Sequence, residues 1–240
     1  MTAIGRFSTR PLYLQVKDML IQRILTGAWK PGAAIPNEIE LSRDLGISVG
    51  TVRKALDEME SERLISRRQG RGTFVIDQTS DEYAIRFNNV RDADGVRVAG
   101  SVLSCEIVAA NANEVEARML HLRGGDPVFR LHRVRAHDGR PHMVENSTVP
   151  QARFPGLAQE VEIPASIVVL AHRYGVLLAR AEERISVTTA DPYAAEAMKI
   201  GEGAPLLKLD AVVYAIDGRP IEWRIARCDL GDMYYMTEIH

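Results

Sequence analysis

The chain has 240 residues, of which 46% are hydrophobic and 26% charged, and its formal net charge is -2. This composition excludes disordered and fibrous chains and allows two domains with hydrophobic cores. Neither a leader peptide nor an apolar run of the ~18 residues needed to span a bilayer is visible, so we expect a cytoplasmic protein with no membrane partner. The two cysteines, Cys105 and Cys228, lie far apart and are expected to be reduced.

Charge is divided unevenly along the chain. Residues 1–76 carry 12 Lys and Arg against 8 Asp and Glu, which leaves 18 against 24 for residues 77–240. The balances are therefore +4 and -6. A basic N-terminal part can face the phosphates of a nucleic acid, although many solvated domains have the same charge balance.

The first elements in chain order are predicted helices. Apolar residues recur at every fourth position from Leu12 to Ile24, which predicts one amphipathic helix that ends at Gly27. Asn37 can cap a second helix, because Glu40 follows three residues later as in a capping box.

A third helix is predicted to begin after Gly46, with Ser48 as its cap. Its apolar residues fall at i, i+3, i+4 and i+7 and predict a buried face, while Thr51, Arg53 and Lys54 point away. In a helix-turn-helix, such residues near the start of the second helix reach the major groove, where Arg can bond two acceptors of guanine. An ordinary solvated helix face is the alternative.

A basic hairpin follows. Residues 64–68 and 73–76 are strand-like, and Gly70 and Gly72 permit a tight turn with Arg71 at its tip. An arginine at such a tip can enter the minor groove, and Arg67 and Arg68 can neutralise flanking phosphates. The alternative is a plain exposed turn.

Several motifs in this region resemble the winged helix of GntR-type bacterial transcription regulators. They are PLY with QV (residues 11–16), GAWKPG (27–32), IPNE (35–38), TVRKAL (51–56) and GRGTFV (70–75). Val49 stands where many members have an arginine, which affects the expected base preference. Helix spacing, the hairpin and the resemblance together predict these DNA-binding residues: Ser48, Val49, Gly50, Thr51, Arg53, Lys54, Arg67, Arg68, Gly70, Arg71 and Gly72.

The remaining sequence contains an internal repeat. GDPV (125–128) begins a strand-like run that ends in DGRP (138–141), and GAPL (203–206) begins another that ends in DGRP (217–220). Each run follows a helix-like segment, residues 113–122 and 192–200, and precedes a second strand. Between the copies, residues 165–175 are helix-like and residues 177–188 strand-like. We therefore expect an α+β domain with an antiparallel sheet.

The Gly-x-Pro and DGRP motifs, with Glu222 and Trp223, are similar to the UTRA domain of the HutC subfamily. That resemblance implies a chorismate-lyase-like fold and the sensing of a small metabolite. The predicted organisation is a winged helix-turn-helix domain over residues 1–76, a linker over 77–92, and an effector-binding and dimerisation domain over 93–240.

The effector site is predicted on one face of the first repeat. Strand alternation places Arg133 and Arg135 in line with Phe129 and Leu131, and a partly buried guanidinium needs an anionic partner. Glu145 alone can supply that charge and merely lock the sheet, or an effector can supply it. The resemblance favours an effector that is a sugar phosphate, a carboxylate or another small anion. Alternation and resemblance together give the predicted effector-binding residues: Arg133, Arg135, Glu145, Ser166, Glu222 and Arg224.

No motif of a hydrolase, metalloprotease or nucleotide-binding enzyme is present, and the histidines lack metal-ligand spacing. We therefore predict no catalytic residue, no metal site and no cofactor. The expected protein is a repressor that binds a pseudo-palindromic DNA operator as a homodimer and is released by its effector, with activation left open. The alternatives are a chorismate-lyase-like enzyme acting on a small carboxylate, and a DNA-binding protein without an effector.

Overall fold

The computed structural model describes residues 10–77, 80, 83, 85–98 and 100–237. The chain divides into two compact units, Met1–Gln78 and Thr79–His240. In the described part of the chain, no helix is long and apolar enough to cross a membrane.

Within residues 10–77, the first unit contains three helices and a small antiparallel sheet. The helices are α1 (Leu12–Leu25), α2 (Glu38–Leu45) and α3 (Val49–Ser61), and the strands are β1 (Ala34–Ile35), β2 (Ile65–Arg68) and β3 (Gly72–Val75). The strand order is β1-β3-β2, so β2 and β3 form the predicted hairpin. Helix α3 buries Val52, Ala55, Leu56 and Met59, which confirms the predicted apolar face.

The predicted helix caps of this unit are present. The Asn37 side chain accepts from the backbone N–H of Glu40, and the Glu40 carboxylate accepts from the N–H of Asn37, which completes the capping box. Gly46 ends α2 with a φ of 64°, and Ser48 caps α3 by accepting from the N–H of Thr51.

The predicted apolar stripe of α1 was wrong at its ends. Leu12 is 52% exposed, and Ile21 is buried where the prediction had Ile24. A helix has 3.6 residues per turn, so a strict spacing of four drifts around its axis. The buried face also includes Lys17, whose Nζ lies 2.6 Å from Glu62 Oε1.

The second unit is built on a six-stranded antiparallel sheet. Its long strands are β5 (Ser101–Asn111), β6 (Pro127–His137), β7 (Arg140–Pro150), β8 (Leu178–Thr189), β9 (Pro205–Ala215) and β10 (Pro220–Cys228), in the order β5-β6-β7-β10-β9-β8. Strands β4 (Val90–Arg91) and β11 (Tyr234–Tyr235) form a separate ladder. The helices are α4 (Glu114–Met119), α5 (Ile167–Arg173) and α6 (Pro192–Met198), with 3-10 turns at Gln151–Arg153 and Leu157–Gln159.

The internal repeat is visible in this order. Each copy runs strand, helix, strand, strand, as β5-α4-β6-β7 and β8-α6-β9-β10, and the two hairpins meet where β7 pairs with β10. This confirms the expected antiparallel α+β domain. The predicted strand at residues 177–188 opens the second copy as β8, and the structure adds β5, which was not predicted, as the opening strand of the first. Asp138 and Gly139 have φ angles of 48° and 77° at the first hairpin turn, a left-handed conformation for which glycine and aspartate are suited.

The two faces of the sheet are covered differently. Helix α6 packs through Ala194 and Met198 on Val134 and Val144, and α4 packs through Ala117 beside Val128 on the same face. On the opposite face, Val90 and Val98 pack against the residues Met143, Leu209, Ala226 and Cys228. That second face also carries the predicted effector-binding arginines.

Candidate functional site

The start of α3 forms the first candidate site. Ser48 Oγ lies 2.8 Å from Thr51 Oγ1, so the two hydroxyls already pair at the helix end. Val49 is half-buried, and Gly50 is exposed. The side chain of Arg53 is 61% exposed, and its Nε donates to Glu38 Oε2 at 2.8 Å.

The neighbouring cations of this unit have aromatic or acidic partners. Lys54 Nζ lies 4.0 Å from the centre of the Tyr13 ring, and the Arg68 guanidinium lies 4.8 Å from that of Phe74. Arg67 forms ion pairs with three carboxylates, those of Glu38, Asp57 and Glu60. The Arg67 charge is thus largely neutralised within the unit.

Arg71 stands at the tip of the β2–β3 hairpin. It lies between Gly70 and Gly72, whose φ angles of 70° and 109° are accessible to glycine at little cost. Arg71 is exposed and forms no ion pair with the residues that the structure describes. Because Glu38 contacts both Arg53 on α3 and Arg67 on β2, the predicted reading helix and hairpin share one surface.

A cavity of about 600 Å³ in the second unit forms the second candidate site. Its charged base comes from β6, β7 and β10, and its apolar wall includes Phe87 and the first turn of α5. All six predicted effector-binding residues line it: Arg133, Arg135, Glu145, Ser166, Glu222 and Arg224. The fold thus brings together three strands of the sheet and the start of a helix, four separate parts of the sequence.

Glu145 is the centre of the buried charges. It is the cross-strand partner of Arg133, and its Oε1 lies 2.9 Å from Arg133 Nη1 and 3.1 Å from Arg135 Nη2. Arg224 Nη1 lies 3.9 Å from Glu145 Oε2. The Arg/Glu pair that could merely lock the sheet is thus present. However, this one carboxylate faces three guanidinium groups, so positive charge is left in excess around it.

The electrostatics of the two buried carboxylates differ. Burial by itself would raise the pKa of Glu145, but Arg135, Arg224 and Arg133 together lower it to about 2. For Glu222 burial dominates, and the nearby Glu145 adds to it, so the pKa of Glu222 is raised. Glu145 is therefore a fixed anion, while Glu222 more readily holds a proton.

Three buried polar atoms beside this cavity have no hydrogen-bond partner among the described residues. They are Arg133 Nη2, Arg224 Nε and Glu222 Oε2. Leaving a buried polar group unpaired costs roughly 1–3 kcal/mol, and more when the group is charged. Two cationic donors and one carboxyl group beside a cavity with an excess of arginine suit a small anion that carries further polar groups.

Ser166 has a local role as well. Its Oγ accepts from the backbone N–H of Val168 at 3.1 Å and so caps α5, which forms part of the cavity wall. Arg135 donates to the backbone carbonyl of Ala165 beside it. Ser166 is thus held at the cavity by the helix that it caps.

Sequence reasoning missed one wall of the cavity. Ile85, Phe87 and Asn88 line it, although they belong to the stretch predicted as a linker. The Arg86 guanidinium stacks 4.1 Å from the Phe87 ring centre. The sequence signal available was a few isolated apolar residues in a polar stretch. Because they show no helix or strand periodicity, they did not indicate packing against the sheet.

A second network joins the charged base to the edge of the unit. Arg224 Nη2 lies 3.4 Å from Glu183 Oε1, and Tyr235 donates its hydroxyl proton to Glu183. Asn89 Nδ2 in turn donates to the Tyr235 hydroxyl at 3.0 Å. The buried charges therefore connect to the β4–β11 ladder.

A winged helix joined to a sheet domain with a charged internal cavity defines a transcription regulator that combines DNA binding with a sensing domain. The chain belongs to the GntR family of bacterial regulatory proteins: residues 12–75 match that family, and residues 93–234 match the UTRA domain. It is a regulator and not an enzyme, so the chorismate-lyase-like alternative is wrong.

Similar proteins carry both parts. The histidine utilization repressor of Pseudomonas putida is 31% identical over 225 residues, which are 92% of this chain and 78% of the relative. The mannosyl-D-glycerate transport/metabolism system repressor MngR of Escherichia coli is 27% identical over 217 residues, 89% of this chain and 90% of the relative. PhnF from Mycobacterium smegmatis shares the fold, with a TM-score of 0.55 at 23% identity over 96% of this chain and 99% of that structure.

Proposed function

We propose that this regulator is a repressor that binds a pseudo-palindromic operator as a homodimer and is released by a small anionic effector. The observation that carries the proposal is the cavity in which Arg133, Arg135 and Arg224 surround Glu145. The two relatives described above are also named as repressors. Such a protein acts on DNA in the cytoplasm.

The DNA contacts are assigned to the first unit. Arg53, near the start of α3, presents an exposed guanidinium for base edges, and Arg71 projects from the hairpin for the minor groove. Lys54 and Arg68 lie on the elements that carry these two residues and are assigned to phosphates. Ser48, Thr51 and the exposed backbone at Gly50 position the helix end against the sugar-phosphate backbone.

The effector is assigned to the cavity of the second unit. Its anionic group would pair with Arg133 and Arg224, whose unpaired N–H groups are buried, and its polar groups would reach Glu222. The apolar wall of Phe87, Ile167 and Val169 would cover its carbon skeleton. Sugar phosphates and small carboxylates both fit this chemistry.

Dimerisation is assigned to the second unit. Its sheet ends in the long strands β5 and β8, whose backbone edges can pair with another chain. Both strands expose apolar side chains, including Leu103 (55% exposed) and Val187 (77% exposed). A homodimer would cover these residues and give two DNA-binding units for two half-sites about one helical turn apart.

The release of operator DNA on effector binding is assigned to the segment between the DNA-binding domain (1–76) and the sensing domain (93–240). The proposed linker is residues 77–92, and its later part already packs on the second unit: Ile85, Phe87 and Asn88 contact the cavity, and Val90 is buried. An effector that binds there restrains this end of the linker and changes the placement of the DNA-binding domains. Operator affinity and effector affinity are then reciprocally coupled.

The test combines two measurements on the full chain. The operator is selected from random duplexes, and its complex is titrated with a panel of sugar phosphates, carboxylates and amino acids. We expect at least one anion to raise the thermal midpoint of the protein and to release the operator. A ligand at 100 times its Kd stabilises the native state by about 2.7 kcal/mol, which is measurable. Sequence-selective binding with no response to any anion would favour a regulator without a small effector.

A further inference from the structure

Glu38, the first residue of α2, joins the two DNA-contacting elements. Its Oε2 accepts from Arg53 Nε at 2.8 Å, and its Oε1 lies 3.4 Å from Arg67 Nη2. Arg53 is on α3 and Arg67 is on β2, so one carboxylate spans the reading helix and the hairpin. Only 26% of the Glu38 side chain is exposed.

The bond to Arg53 leaves the reading end of that side chain available. Glu38 occupies Nε, and the two Nη groups of Arg53 form no hydrogen bond with the residues that the structure describes. Bidentate recognition of guanine O6 and N7 requires two adjacent donors in a fixed plane. A carboxylate behind the guanidinium restricts its rotation and keeps the Nη pair pointing outward.

The carboxylate also opposes contacts that carry no sequence information. Duplex DNA has one negative charge per ~1.7 Å of its axis, and its phosphates bind arginines of any orientation. Arg67 is already paired with Asp57 and Glu60 on α3 as well as with Glu38. Arg67 thus stays held by the closer Asp57 and Glu60 without Glu38, whereas Arg53 depends on Glu38 to keep it from extending to the nearest phosphate.

We propose that Glu38 is a positioning residue that sets DNA specificity by fixing Arg53 for base contact and by restraining this arginine from non-specific phosphate binding. The inference rests on the proposed DNA contacts of the first unit. It predicts that removal of the carboxylate strengthens binding to arbitrary DNA while it weakens discrimination in favour of the operator.

The test compares Glu38→Gln with the unsubstituted chain by fluorescence anisotropy, on the selected operator and on a scrambled duplex, from about 50 to 200 mM KCl. In the variant we expect tighter binding to the scrambled duplex and a salt slope that is steeper by about 1, as for one added phosphate contact. We expect the ratio of operator to scrambled affinity to fall by about tenfold, within the discrimination that one bidentate base contact provides.

Two further variants separate charge from geometry. Glu58→Gln makes the same charge change on α3, where Glu58 has no ion pair with any arginine that the structure describes, and should keep the ratio of the unsubstituted chain. Glu38→Asp keeps the charge but is too short to reach both arginines, so the ratio of operator to scrambled affinity should fall without a change in the salt slope. If Glu38→Gln does not fold, Glu38→Asp serves as the test in its place. Equal ratios in Glu38→Gln and Glu58→Gln, or a uniform loss of affinity with an unchanged slope, would overturn the inference. An unsubstituted chain that does not distinguish the operator would instead refute the proposed function.

Discussion

Glu145 and Arg224 occupy equivalent positions in the two copies of the repeat, four residues after Pro141 and Pro220, and they carry opposite charges 3.9 Å apart. The duplication thus places an anion and a cation at the centre of one sheet. The positions equivalent to Arg133 and Arg135 in the second copy are Ala211 and Val213, both buried. Both copies therefore contribute charges to the cavity, the second through Glu222 and Arg224, but only the first adds a pair of arginines from its middle strand.

Glu145→Gln should destabilise the protein strongly. The substitution leaves three guanidinium groups beside a cavity without their shared carboxylate, and breaking a buried ion pair from one side costs about 3–5 kcal/mol. Urea unfolding of the full chain measures the loss. Glu202→Gln, an exposed carboxylate in the loop before β9, is the matched control and should unfold at the same urea concentration as the unsubstituted protein. Equal midpoints for both variants would contradict the buried network.

Arg133→Ala should keep operator binding and lose its relief by the effector, because Arg133 lies in the cavity and outside the first unit. Operator release in a gel-shift titration measures the effect. Arg184→Ala removes an exposed arginine from β8 and should stay inducible. Full inducibility of Arg133→Ala would remove this residue from the effector site.

Arg71→Ala should weaken DNA binding. If Arg71 in the groove neutralises the charge of one phosphate, its removal should lower the slope of log affinity against log salt by about 0.9. Anisotropy on the selected operator measures it. Arg118→Ala, at an exposed position on α4 in the second unit, should leave the slope unchanged. A slope that does not respond to Arg71→Ala would exclude the tip from the interface.

Stability should fall between pH 6.5 and pH 4.5 because of His142. Burial, with smaller effects of His137 and Arg135, lowers the pKa of His142 from 6.5 to about 4. The unfolded chain then binds a proton in this range that the folded chain does not, so acidification favours unfolding, by up to about 3 kcal/mol at pH 4. The lowered pKa of Glu145 adds its own loss of stability only when the pH falls below 4.5, the ordinary pKa of a glutamate in the unfolded chain. The loss attributed to His142 is complete as the pH falls past 4.

Urea unfolding at a series of pH values tests this assignment. His142→Phe should flatten the dependence of stability on pH between pH 6.5 and pH 4.5. Phenylalanine takes up no proton in either state, so the difference in proton uptake between the folded and unfolded chain disappears. His121→Asn, at an exposed position with a φ of 52° that asparagine tolerates, should keep the slope. A profile that is equally steep without His142 would show that another group titrates.

Tyr235→Phe should weaken the coupling between effector and operator. The Tyr235 hydroxyl joins Glu183, and through it Arg224, to Asn89 beside β4. We expect operator affinity to be retained and the effector to reduce that affinity by a smaller factor than in the unsubstituted chain. Tyr234→Phe, the exposed neighbour on β11, is the control. Unchanged coupling in Tyr235→Phe would show that this chain of bonds transmits nothing.

The sequence by itself determined the elements whose signals are local. Glycine and capping residues marked the ends of α2 and the start of α3, since Asn37, Gly46 and Ser48 satisfy backbone groups within a few residues. The repeat of turn motifs likewise predicted paired hairpins. Strand alternation predicted that Arg133 and Arg135 lie on one face. The need for an anionic partner then pointed to Glu145 on the neighbouring strand.

Only the tertiary structure decided which distant side chains meet. The pairing of β7 with β10 brings Arg224 to Glu145, and the folding of residues 85–88 against the sheet turns part of a predicted linker into a cavity wall. In the first unit, the three carboxylates around Arg67 leave Arg71 as the more available cation of the hairpin. Ion pairing and burial depend on distances across the fold, and residue periodicity carries no information about them.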